Sequence, residues 1–122
     1  MAQTWADHLM KTNTFAHSRN GFGENIWSQE GTMVSNKGSD PVDSWYSEGK
    51  NYNYERAEFT PQTQHFTQLV WVASHKLGVG VAKRAGKVIV VANYDPPGNY
   101  YSRSEFRKNV LKPNILVFGG KR

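Results

Sequence analysis

Apolar positions recur along this chain in two different periods, and each change of period marks a change of element. Over residues 2–12, Trp5 and Leu9 fall at helical spacing with Ala6 and Met10 beside them, which predicts a helix starting almost at the first residue. Residues 13–22 keep no period and read as loop. Glu24 to Ser28 predicts a short strand, and the Gly-, Ser- and Asn-rich residues 29–39 predict a surface loop. Asp40 and Pro41 then open a second helix, because aspartate caps free backbone N–H groups and proline suits the first helical position. Val42, Trp45, Tyr46 and Gly49 form its expected apolar face. After an irregular stretch over 51–62, residues 63–72 predict a third helix with Phe66, Leu69 and Val70 on one stripe.

The period then shortens to two. Residues 77–82 alternate strictly, with Leu77, Val79 and Val81 on the expected apolar face and glycines that let another element pack closely on the opposite one. Arg84 to Lys87 is a hairpin-turn signal, and the unbroken apolar run from Val88 to Tyr94 predicts a central strand covered on both faces. Beyond Arg103 the pattern is mixed, and Pro113 breaks any late helix. The fold class is α+β: helices packed around a small antiparallel sheet, in one domain over residues 1–122.

Charge sharpens this picture more than overall composition does. The chain carries 15 Lys and Arg against 10 Asp and Glu, a formal charge of +5. Residues 1–75 are net −3 and residues 76–122 net +8, so the basic character is confined to the C-terminal part. Such a segment suits an anionic partner, a phospholipid head group above all, and ordinary solubilising charge is the plainer alternative. No specific nucleic-acid motif accompanies it. The absence of cysteine excludes disulfides, Cys-type zinc sites and thiol catalysis, and fits a reducing compartment. No run in the sequence suits a signal peptide or a membrane span.

Among the four histidines, His8 and His75 read as solvated surface residues. His17 and His65 stand apart. His17 precedes a glycine-punctuated turn leading to Glu24, which sits at the edge of the apolar pair Ile26 and Trp27; His65 heads its own helix, and Glu48 follows Trp45 on the preceding one. A carboxylate in such surroundings needs a partner. Two imidazoles and two carboxylates can build one polar cluster able to hold Zn²⁺ or another divalent ion, or, the reading that spacing alone favours, a structural network pinning loops to the core. If the chain were a metal-dependent hydrolase, Glu24 or Glu48 would serve as base. No HExxH motif and no G-x-S-x-G elbow is present, so Ser28, Ser44 and Ser47 carry no nucleophile signature. The four tryptophans, Asn93, Tyr94 and Asn99 read as structural. No organic cofactor is implied.

Five segments in fixed order now carry a resemblance: 17–18, 23–27, 45–48, His65 to Trp71, and Val91 to Asn99. Together they resemble the CAP superfamily, which includes cysteine-rich secretory proteins, venom antigen 5 and plant pathogenesis-related protein 1. Without cysteine, the chain looks most like the Golgi-associated branch. The resemblance implies an α-β-α sandwich with an open cavity, in which His17, Glu24, Glu48 and His65 match the family's tetrad and the two histidines hold the metal. It implies binding of anionic phospholipid, sterol or fatty acid, and a second copy of the chain is a further candidate partner. The expected role is a non-enzymatic binding module, cytoplasmic and peripheral at Golgi-like membranes. A secreted, defence-type effector is the alternative location and role. The family's first helix has no counterpart before Ala2, so the domain is expected to be truncated relative to the family.

Overall fold

The computed structural model describes residues 1–31 and 40–113. Helix α1 (Ala2–Thr12) lies on one face of a sheet built from β1 (Gly23–Glu30), β2 (Lys76–Arg84) and β3 (Lys87–Asp95). Helix α2 (Asp40–Ser47), a 3₁₀ turn (Glu48–Asn51), α3 (Gln64–Val70) and α4 (Arg103–Asn109) belong to the opposite layer. The strand order is β1-β3-β2, both pairs antiparallel, so the most apolar strand is the central one, buried from Val88 to Tyr94 as the unbroken run predicts. Three clusters fill the core. One joins Ala6, Leu9 and Met10 of α1 to Ile26, Ile89 and Val91. A second joins Trp45 of α2 to Val88, Val90, Ala92 and Tyr94 on the other face. The third collects Tyr52, Phe66, Trp71 and Phe106 among the 3₁₀ turn, α3 and α4.

Helix α1 keeps its expected bounds. It ends because Asn13 turns left-handed (φ 55°), a conformation asparagine tolerates, and returns its N–H to Leu9 O. Strand β1 runs longer than expected, to Glu30, because its whole length finds register partners on β3. Residues 32–39 of the anticipated surface loop fall outside the described residues.

The expected apolar faces differ on three elements, reversed on β2 and kept only in part on α2 and α3. On β2, Leu77, Val79 and Val81 are exposed, and Gly80 and Ala82 face α1 instead. The reason is distance: a Cβ at Gly80 would collide with the backbone of Ala2 and Gln3, so the small residues are what let the helix settle on the strand. On α2, Val42 and Tyr46 are exposed while Pro41 and Trp45 are buried. On α3, Phe66 is buried as expected, but the other buried side chains are Thr67 and Gln68, with Leu69 and Val70 only partly covered. Their polar groups are satisfied by the turn after β3. Thr67 Oγ1 donates to Asn99 Oδ1 (2.6 Å), and Gln68 Oε1 accepts from Gly98 N (2.9 Å). Burial of these polar residues is therefore paid back in hydrogen bonds.

Candidate functional site

The site residues come together as two His–Glu pairs. In the first, Gly23 begins β1 because a side chain there would strike Gln68, and Glu24 follows opposite Asn93 in the β3 register. The loop before β1 doubles back through Arg19 (φ 59°) and Gly21 (φ 89°), which returns His17 and Ser18 to the carboxylate. Glu24 Oε1 accepts from His17 Nδ1 (2.9 Å) and Ser18 N (2.9 Å). Its Oε2 accepts from Ser18 Oγ (2.6 Å) and Asn93 Nδ2 (2.9 Å). Burial on its own would push the Glu24 carboxyl up, but the donors from Ser18, Asn93 and His17 outweigh it and hold the group below its ordinary value.

The second pair is built at a helix start. Glu48 lies in the 3₁₀ turn after α2, not on α2 itself. Its Oε1 accepts from the backbone N–H groups of His65 (3.0 Å) and Phe66 (3.1 Å), two first-turn donors of α3 that lack intrahelical partners. Its Oε2 accepts from His65 Nδ1 at 2.7 Å.

Strand β1 touches both pairs, supplying Glu24 to the first and reaching the backbone of His65 in the second through Asn25. Successive side chains on a strand point to opposite faces, so Asn25 turns away from Glu24 and toward α3, where its Nδ2 donates to His65 O (3.1 Å) and Tyr94 Oη (3.2 Å). Among the described residues, no three His, Asp or Glu side chains are grouped closely enough to hold a metal ion. The donor chemistry is nonetheless that of metal-binding histidines: each ring is oriented by a carboxylate at Nδ1, and Nε2 has no hydrogen-bond partner among the described residues.

Ser18, Asn93 and Asn25 are the residues that sequence reasoning missed as parts of the site. Ser18 stood in the motif beside His17, and Asn93 was read as structural only. The signal for Asn93 was the register itself, which sets it opposite Glu24. His8 and His75 are exposed, as expected, with His8 stacked on Trp5 (4.8 Å between ring centres). Ser28, Ser44 and Ser47 are exposed and touch neither imidazole; Ser47 Oγ donates to Ser44 O.

Helices sandwiching a three-stranded sheet, with a His–Glu pair at each of two loop-to-element junctions, define the class. Residues 1–94 match the CAP: Cysteine-rich secretory protein family, and the chain belongs to it. It is 40% identical over 118 residues to Golgi-associated plant pathogenesis-related protein 1 of Homo sapiens, spanning 92% of this chain and 74% of that protein. It is 34% identical over 106 residues to Pathogenesis-related protein 1 of Arabidopsis thaliana, spanning 86% of this chain and 64% of the relative. Among solved structures, NaASP2 with Zn²⁺ superposes with a TM-score of 0.63 at 26% identity, over 83% of this chain and 60% of that one. The fold is thus the α-β-α sandwich of CAP proteins. No helix among the described residues is long and apolar enough to cross a membrane.

Proposed function

We propose that this chain is a non-enzymatic CAP-domain binding module, holding a divalent cation at His17 and His65 and docking through its basic C-terminal part on anionic lipid. The observation that carries the reading is the state of the two rings: each is fixed at Nδ1 by its own glutamate, with Nε2 left without a partner among the described residues. Two protein nitrogens leave the remaining positions of a bound Zn²⁺ to water. NaASP2, which shares the fold, has a structure with Zn²⁺, and that supports zinc as the ion to try first.

At Glu24, binding is favoured over hydrolysis by the carboxylate itself. A carboxylate offers about four acceptor sites, and Glu24 fills them with Ser18 N, Ser18 Oγ, Asn93 and His17. A general base needs a lone pair free for water. No serine hydroxyl bonds either imidazole among the described residues, since Ser18 Oγ goes to Glu24.

The lipid half of the reading rests on the +8 charge of residues 76–122. The proposed location is the cytoplasmic face of Golgi-like membranes; the name of the human relative supports the Golgi part of that reading. Liposome flotation tests it. The protein is expected to float with vesicles containing acidic phospholipid, less so as salt rises, and to stay behind with neutral vesicles. Equal flotation with both, or with neither, would overturn the lipid reading.

A further inference from the structure

Asn20 is the only asparagine in the chain that glycine follows, and its amide is the outer end of a hydrogen-bonded relay that reaches the first histidine. Its Nδ2 donates to Asn93 Oδ1 (3.3 Å). Asn93 Nδ2 donates in turn to Glu24 Oε2 (2.9 Å), and the other oxygen of Glu24 accepts from His17 Nδ1 (2.9 Å). The same side chain closes the turn before β1, where Asn20 Oδ1 accepts from Phe22 N (3.0 Å). Arg19 (φ 59°) and Gly21 (φ 89°) on either side are both left-handed, and arginine holds that conformation against its own preference. One primary amide therefore pins a strained turn and steadies the loop that brings His17 to Glu24.

That amide is chemically exposed to its own backbone. Glycine has no side chain to crowd the approach of its nitrogen to a preceding side-chain carbonyl. Two features of this turn favour the attack. The Phe22 N–H bonded to Oδ1 polarises the carbonyl and is placed to stabilise the oxygen anion that forms on it. The Gly21 N–H, the attacking group, has no hydrogen-bond partner among the described residues. The leaving nitrogen, Nδ2, is held only by the longest of the three bonds in the relay.

We propose that Asn20 is a site of spontaneous deamidation in the native chain, a slow one-way change that loosens the turn and with it the hold of Glu24 on His17. Gly21 N attacks Asn20 Cγ, the Cγ–Nδ2 bond breaks, and the nitrogen leaves as ammonia, carrying the proton that Gly21 N gave up. A five-membered succinimide remains. Water then adds at either ring carbonyl and opens the ring, leaving aspartate or isoaspartate at position 20. The sum is one water consumed and one ammonia released. Neither product can donate to Asn93 Oδ1, since a carboxylate only accepts. Two acceptors then face one another, and isoaspartate also adds a methylene to the main chain between the two left-handed residues.

The test is peptide mapping by mass spectrometry of the native protein kept at mildly alkaline pH in water enriched in heavy oxygen, beside a urea-unfolded sample. Position 20 is expected to exchange amide for acid before any other asparagine does, taking up one solvent oxygen, at a rate within about tenfold of that in urea. Amide hydrogen exchange at Ser18 and Phe22 should then quicken about tenfold or more in the aged protein. Asn20→Gln, whose longer side chain would have to close a six-membered ring, should keep its amide over the same period. If that variant fails to fold, the heavy-oxygen label on the native chain tests the same chemistry. A native chain that converts more slowly than the stated range, conversion that starts at another asparagine, or conversion that leaves exchange at Ser18 and Phe22 unchanged would each overturn the proposal. None of these readouts involves a metal, so the result stands apart from the proposed cation site.

Discussion

The two glutamates hold their histidines at similar distances, 2.9 Å for Glu24 and 2.7 Å for Glu48, but under different obligations. The Glu24 side chain is 5% exposed and serves Ser18 and Asn93 as well as a ring that is itself 56% exposed. The Glu48 side chain is 23% exposed and serves the first turn of α3 as well as a ring 27% exposed. Glu24 therefore acts mainly as the anchor of the 13–22 loop, and Glu48 as the acceptor that starts a helix. The cost of losing either acid should follow the number of buried groups depending on it, not the length of its bond to histidine.

That rule can be broken by experiment. Glu24→Ala strands the Ser18 and Asn93 donors and should destabilise the protein by about 3 kcal/mol, on the order of 10 °C in melting temperature. Urea unfolding checks it; a loss no larger than that of Glu48→Ala would reverse the ranking. Next in size is the metal. At about a hundredfold excess over its dissociation constant, Zn²⁺ should stabilise the native chain by roughly 2.7 kcal/mol, and chelator should remove the gain. The double change His17→Ala and His65→Ala should abolish it in a thermal-shift assay, and a gain that survives would place any metal elsewhere.

Glu48→Ala should cost about 1 to 2 kcal/mol, since the amides it leaves can be reached by water. Amide exchange should then quicken at His65 and Phe66 before it does in β3. The smallest effect concerns pH. The folded Glu24 carboxyl lies below its ordinary value of 4.5, so its contribution is fully present above that value and is lost as pH falls through the folded one. Acid unfolding of Glu24→Gln should therefore show a shallower loss of stability over that range than the native chain.

Much of the fold was legible because the deciding interactions are local. The bounds of α1, the hairpin turn and the central strand all follow from periods and turn residues within a few positions. On β2 the close approach at the glycine face was legible, and α1 makes it at Gly80. The exposure of the apolar face was not, because alternation defines two sides without saying that only one of them is covered. The buried side of α3 was missed for a similar reason: Thr67 and Gln68 are tolerable inside only because Gly98 and Asn99, some thirty positions later, supply their partners. At the site, the four charged residues could be picked out by resemblance. Their supporting cast could not, since Asn93 reaches Glu24 only through strand register and Asn25 reaches His65 only through the packing of α3 on the sheet.

Gln3 ties the first turn of α1 to the outer side of β2: its Oε1 accepts from Val81 N (3.0 Å) and its Nε2 donates to Val81 O (2.7 Å). A side-chain amide offers the same donor and acceptor as a peptide group, so one residue does there what a neighbouring strand would do. Swapping the glutamine for a residue without an amide would leave both backbone groups to water and let the start of the helix fray away from the sheet before the rest of it.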